Sequence, residues 1–158
     1  FYILPSAGDL NIFTGDFTVE LWFRPDTVPT NSCLVEFGYD VSNRANLSLV
    51  NGVLVFASIV GGGGGVAITA IRGSPALEWS YAALTCTSSV YTLRLNGEIM
   101  GTASPSVPTH ATTVMTVGRS HMASANDYAG FIDELRVTKG VDRYSGNYIN
   151  QLTAFADS

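Results

Sequence analysis

The feature that most narrows the folds open to this chain is a two-residue alternation of apolar and polar side chains, in short runs closed by turn formers. In Asp16-Phe17-Thr18-Val19-Glu20-Leu21-Trp22-Phe23-Arg24, the residues Phe17, Val19, Leu21 and Phe23 fall on one side of an extended backbone, and Pro25-Asp26 ends the run. That is the pattern of a half-buried strand. Leu34–Gly38, Ala45–Val50, Trp79–Cys86, Val90–Leu95, Thr113–Val117 and Phe131–Val137 follow at intervals of about ten to fifteen residues, and Phe1–Pro5 also reads as a strand. Asn51-Gly52 and Asn96-Gly97 are the pairs favoured where both central turn residues need positive φ, so each predicts a tight hairpin. Helix signals are nearly absent, and Gly140–Tyr144 is the one stretch that suggests a single helical turn. The expected architecture is all-β, a two-sheet antiparallel sandwich.

The run from Gly52 to Ile71 carries no charge over a length that could span a bilayer as a helix. Gly61 to Gly65 argue against that, because five consecutive glycines depress helix propensity severely. The β-branched flanks Val53–Val60 and Val66–Ile71 instead predict a hairpin with the glycines as its tip. A phosphate-binding loop is also excluded, since Val66-Ala67 stands where Lys-Ser/Thr would open a helix. No membrane insertion is expected.

At 158 residues the chain reads as one domain, 1–158. Hydrophobic residues are 46% and charged residues 13%, far from the composition of intrinsic disorder. The net charge is -5 and Lys139 is the only lysine, so no basic stripe exists to track phosphates, and nucleic acid is excluded as a partner. Cys33 and Cys86 each sit in an apolar stretch, where two buried thiols are expected rather than a bridge. Phe1–Pro5 lacks the basic start of a signal peptide, and the missing initiator methionine suggests a processed product or a fragment.

Five segments, in order, resemble the laminin-G-like, concanavalin A-type jelly rolls: Gly15–Pro25, Trp79–Thr85, Leu93–Gly97, Val117–Arg119 and Gly130–Gly140. The last, continued through Tyr148, looks most like domains appended to tailed-phage structural proteins. The resemblance covers nearly the whole chain. It implies a jelly roll of lectin-like use: a non-catalytic binding or decoration module of a virion surface, capsid or tail, contacting host glycans. A purely architectural domain that docks other virion subunits, or an extracellular lectin-like adhesion domain, are the alternatives. Location on a virion surface or outside the cell, within a homo-oligomeric or larger assembly, goes with all three.

Catalysis is not expected. Jelly-roll hydrolases that resemble laminarinases carry Glu-x-Asp-x-x-Glu on one strand, and a retaining glycosidase needs two carboxylates about 5 Å apart. No such spacing occurs here: Glu36 and Asp40 are separated by Gly38, and Asp133-Glu134 are adjacent and alternate across a strand. His110 and His121 lie in loop-like segments without a Gly-x-Ser-x-Gly elbow.

Asp133 raises a metal expectation. Strict alternation places it on the face of Phe131, Leu135 and Val137, where a carboxylate needs a cation, an arginine or several N–H donors. In many laminin-G-like domains the matching Asp helps hold calcium together with the loop before the first long strand. The resemblance therefore implies a structural calcium ion on Asp133, Asp9 or Asp16 and loop carbonyls. For sugars, flat rings beside polar groups on loops point to Tyr39-Asp40 with Asn43-Arg44, and to Arg119-Ser120-His121 with Asn126-Asp127-Tyr128. Tyr39 and Tyr128 could equally cap the core. Trp22 and Trp79 lie inside strand motifs and are expected in the core.

Overall fold

The computed structural model describes residues 2–5, 10–104, 114–121, 126–144 and 146–147; the side chains of 2–5 and of Tyr39 lie outside this set. Eleven strands are present: β1 (Tyr2–Pro5), β2 (Phe17–Pro25), β3 (Asn31–Asp40), β4 (Asn43–Val50), β5 (Val53–Val60), β6 (Gly63–Gly73), β7 (Ser80–Thr87), β8 (Val90–Leu95), β9 (Glu98–Ala103), β10 (Val114–Val117) and β11 (Gly130–Lys139). They pair antiparallel into a six-stranded sheet, β1-β10-β3-β4-β5-β6, and a five-stranded sheet, β11-β2-β7-β8-β9. This is the expected jelly-roll sandwich. Among the described residues no helix is long and apolar enough to cross a membrane.

The alternation in β2 does what its sequence implies. Phe17, Val19, Leu21 and Phe23 are fully buried and face Leu34, Val35, Phe37, Leu47, Leu49, Leu54 and Phe56 of the other sheet. Rings tie the layers. Phe13 meets Phe17 and Phe37 edge-on at 5.3 and 5.6 Å, and Tyr91 meets Phe17 edge-on at 5.6 Å while stacking on Phe56 at 5.4 Å. Burying each such ring is worth about 1.5–3 kcal/mol, before the 0.5–1.5 kcal/mol an aromatic pair adds. Cys33 and Cys86 are free and buried, as expected, and belong to different sheets. Burial, with the Glu36 charge nearby, pushes the Cys33 thiol up to about 12.

The two Asn-Gly turns form as read, with φ of 50° and 75° at Asn51-Gly52 and 50° and 82° at Asn96-Gly97. Ser88-Ser89 makes a third turn with the same signs, φ 50° and 65°, without a glycine, and the Asp16 carboxylate accepts the Ser88 N–H at 2.9 Å.

Four expectations need correction. The glycine run is not all tip: Gly61 and Gly62 make the turn, at φ 59° and 77°, and β6 begins at Gly63. Residues 140–144 form no helix; the one helical turn among the described residues is a short 3-10 turn, Ile12–Thr14, whose Ile12 and Phe13 plug the core. The β9 strand, Glu98–Ala103, went unread because an edge strand with Gly101 at its centre lacks clear alternation. Most consequential is the bulge in β11. Asp133 pairs with Trp22 but Arg136 pairs with Glu20, so Glu134 and Leu135 together oppose Leu21, with Glu134 at φ 51°. The extra residue reverses the phase. Ile132, Leu135 and Val137 pack on the core, while Phe131, Asp133 and Arg136 share the outer face with the β2 residues they pair with.

Candidate functional site

The registers of β11, β2, β7, β8 and β9 array the outer face of the five-stranded sheet in rows. One row holds Thr138, Thr18, Thr85 and Thr92; the next holds Arg136, Glu20, Ala83 and Arg94; the third holds Asp133, Trp22 and Tyr81. Beyond them, Phe131 pairs with Arg24, and Trp79 precedes Ser80, the partner of Phe23.

The first two rows are sealed. Val141 and Arg143 bind Thr18, whose hydroxyl donates to the Val141 carbonyl at 2.9 Å and accepts the Arg143 N–H at 3.0 Å. Arg94 donates to the Gly146 carbonyl (3.0 Å), the Tyr144 carbonyl (3.3 Å) and the Thr85 hydroxyl (2.9 Å), and Asn147 accepts the Ile99 N–H at 3.0 Å. The segment after β11 is thus a strap across the sheet, held by bonds reaching β2, β8 and β9, and this replaces the helical turn expected there. Beneath it Glu20, with no exposed surface, accepts the hydroxyls of Tyr81 and Tyr144 and the Arg136 Nε–H at 2.5 Å. Burial, then the bond to Glu20, drives the Tyr81 hydroxyl well above the usual phenol range, and the same two causes raise that of Tyr144. Burial alone would lower Arg136, but Glu20 outweighs it and the net shift is upward.

The last row is open. Trp79 is 44% exposed and Phe131 52% exposed, and the Arg24 guanidinium lies 5.9 Å from the Trp79 ring and 4.5 Å from the Phe131 ring. Trp22 stands half-buried beside Tyr81, ring centroids 5.1 Å apart. Both tryptophans are therefore outside the core, contrary to the sequence expectation. The signal was available for Trp22: if Phe17, Val19, Leu21 and Phe23 face in, Trp22 and Arg24 face out.

The loop residues chosen from sequence are partly assembled. Arg119 and Asp127 form an ion pair at 3.3 Å, the Asn126 carbonyl accepts the Cys33 N–H at 3.0 Å, and the Tyr128 N–H donates to the Gly118 carbonyl at 2.8 Å. Tyr128 packs on the core, so it is a cap, and its phenol is raised first by burial and then by Asp26. His121 is exposed, its N–H donating to Glu36 at 2.8 Å; Ser120 donates to the same buried carboxylate at 2.8 Å, and Arg44 lies 3.8 Å from it. Asn43 braces a turn instead of facing a ligand: its amide donates to Asp40 at 3.0 Å and its carbonyl accepts the Gly61 N–H at 3.0 Å. The Tyr39 side chain and His110 lie outside the described residues.

Asp133 and Asp16, two of the three carboxylates expected to hold calcium, do not come together. Asp133 faces outward, is exposed, and accepts the Glu134 N–H at 2.9 Å; the bulge removes the buried carboxylate on which that expectation rested. Asp16 precedes Phe17, six strand positions from Trp22 and thus roughly 20 Å from Asp133. Asp9 lies outside the described residues, among which no group of three His, Cys, Asp or Glu could hold a metal ion.

Solved structures share this architecture. CBM40 of the Ruminococcus gnavus IT-sialidase superposes with a TM-score of 0.70 at 15% identity, covering 80% of this chain and 77% of that one. Domain 4 of AbnA, a GH43 extracellular arabinanase from Geobacillus stearothermophilus, gives 0.65 at 20% identity, covering 80% and 61%. Domains LG4-5 of the mouse laminin alpha1 chain give 0.59 at 20% identity, covering 78% and 35%. The chain thus spans less than two thirds of the arabinanase domain and about a third of the laminin chain. No protein of curated function matches in sequence. The sequence model of the concanavalin A-like lectin/glucanases superfamily matches residues 2–141, and the chain belongs to that superfamily.

Proposed function

We propose that this chain is a non-catalytic glycan-binding module whose ligand lies on the open end of the five-stranded sheet. One observation carries the reading: Trp79, one residue before β7, and Phe131 of β11, two large rings, stand exposed on either side of Arg24 of β2, while the strap seals the threonine and Glu20 rows of the same face. Pyranose rings present C–H faces that pack on aromatic planes, and the Phe131 plane is held by a strand of the sheet. Structures of the same fold include CBM40 bound to sialyllactose and AbnA domain 4 in complex with arabinotriose, which supports sugar as the ligand class. The absence of a Glu-x-Asp-x-x-Glu strand in the sequence supports binding without cleavage. On this reading the module works outside the cell or on a virion surface, a setting that the resemblance of 130–148 to tailed-phage appendages supports.

The test is titration of glycans selected on an array. Trp79→Ala is expected to weaken binding at least about tenfold. The Arg119–Asp127 loop is the rival, and a larger loss in Asp127→Ala would move the site there. Leu77, 67% exposed and bonded through its N–H to the Pro25 carbonyl, extends the apolar patch and favours a second reading, docking of another subunit. Silence across the array with self-association in sedimentation would select it.

A further inference from the structure

Arg24 is singular among the seven arginines. Arg44, Arg72, Arg119 and Arg136 pair with Glu36, Glu98, Asp127 and Glu20, and Arg94 and Arg143 donate to Gly146, Tyr144, Thr85 and Thr138. The Arg24 side chain has no ion pair or hydrogen bond with any described residue, and its Nε is buried without a partner. A guanidinium flanked by two rings is poorly solvated on its faces; with Nε buried, its four Nη–H donors are those left for a ligand, in a row that is open to solvent. The acceptor that matches a planar fork is a carboxylate, bound by two parallel N–H···O bonds.

Resting on the glycan reading above, we infer that the Trp79–Arg24–Phe131 row is a site for carboxylated sugars, uronic or sialic-type acids. The carboxylate pairs with Arg24 while the sugar ring lies on Trp79 or Phe131. Charge makes the assignment selective. The protein as a whole is acidic, at -5, so an anionic ligand is repelled elsewhere and is held only where a cation is left uncompensated. A neutral sugar would use the rings and leave the guanidinium as it is.

The experiment compares matched ligands on the intact chain: sialyllactose against lactose, and a glucuronate-ended disaccharide against its glucose counterpart, by calorimetric titration at low and high salt. The carboxylated member is expected to bind at least about tenfold more tightly, with the preference shrinking in salt, and Arg24→Gln is expected to erase the preference between the members of each pair. Arg24→Lys, a point charge without the fork, recovers only part of it. Equal affinity for both members of each pair overturns the inference and leaves glycan binding standing, and so does a preference that survives in a folded Arg24→Gln. Binding of no glycan at all overturns both. The wild-type comparison decides the matter even if the variant does not fold.

Discussion

Glu20 is the residue on which the outer face depends. It is fully buried, and its charge is tolerated because one cation and two phenols point at it. Removing either member of such a pair is costly, because the other is left without compensation. Arg136→Met strands a carboxylate with no exposed surface and is expected to cost about 3 kcal/mol; Glu20→Gln leaves the quarter-exposed Arg136 able to find water, and should cost about 2 kcal/mol. At this chain length those losses lower the melting midpoint by about 4–12 °C. The double variant should cost clearly less than the sum, since each single change already breaks the same contact. Strict additivity in urea unfolding would show that the pair contributes little and that the strap is held elsewhere. None of this was read from sequence. Glu20 looked like an ordinary solvent-facing position of an alternating strand, and its burial is set by Tyr144, which arrives 124 positions later in the chain.

At the scale of elements, the sequence reveals periodicity and conceals interruptions of it. Every core position of β2 and both Asn-Gly hairpins were legible, because alternation and turn chemistry are local properties. The β11 bulge was not, because nothing in Asp133-Glu134-Leu135-Arg136 marks an extra residue; strict alternation carried past Asp133 turned an exposed acid into a buried one, and the calcium expectation followed. Trp79 was missed for a related reason, since it sits one residue before β7 begins and no strand phase applies to it. The glycine run shows the same contrast within a single hairpin. A Cβ on Gly65 would lie 2.3 Å from the Ser58 carbonyl oxygen, whereas one on Gly64 would meet nothing within 4 Å. Gly65→Ala must push β5 and β6 apart where the Ser58 hydroxyl accepts the Val66 N–H, and should cost about 2 kcal/mol or more. Gly64→Ala should be neutral or stabilising by up to about 1 kcal/mol, because it restricts the unfolded chain. Equal melting midpoints for the two variants would mean that the hairpin tip is not formed in solution.

Across the whole molecule, the thiols and phenols buried by the sandwich press stability in one direction with pH. Burial raises the thiols of Cys33 and Cys86 and the phenols of Tyr81, Tyr91, Tyr128 and Tyr144 above their ordinary values of 9.0 and 10.0. The folded chain therefore keeps protons that the unfolded chain releases in alkali. Stability from these groups is complete below about pH 9 and declines as pH rises past the unfolded values, levelling off only where the folded groups themselves ionise. Tyr81, Cys33 and Tyr91 are the most deeply placed, at 0%, 1% and 1% exposure, and one such group releasing its proton only in the unfolded state costs about 1.4 kcal/mol per pH unit, or about 2–4 °C. Melting midpoints are expected to hold between about pH 7 and 9 and then to fall steeply toward pH 11. Four of the seven tyrosines should ionise only together with unfolding, read from tyrosinate absorbance. The strap gives an internal control: Tyr144→Phe removes one phenol from the linkage and should flatten the alkaline slope even as it lowers the midpoint at neutral pH, because the Glu20 carboxylate loses a donor. Ordinary tyrosine titration below the unfolding transition would show that these rings reach water in the folded state, and that the outer face is open where the strap closes it.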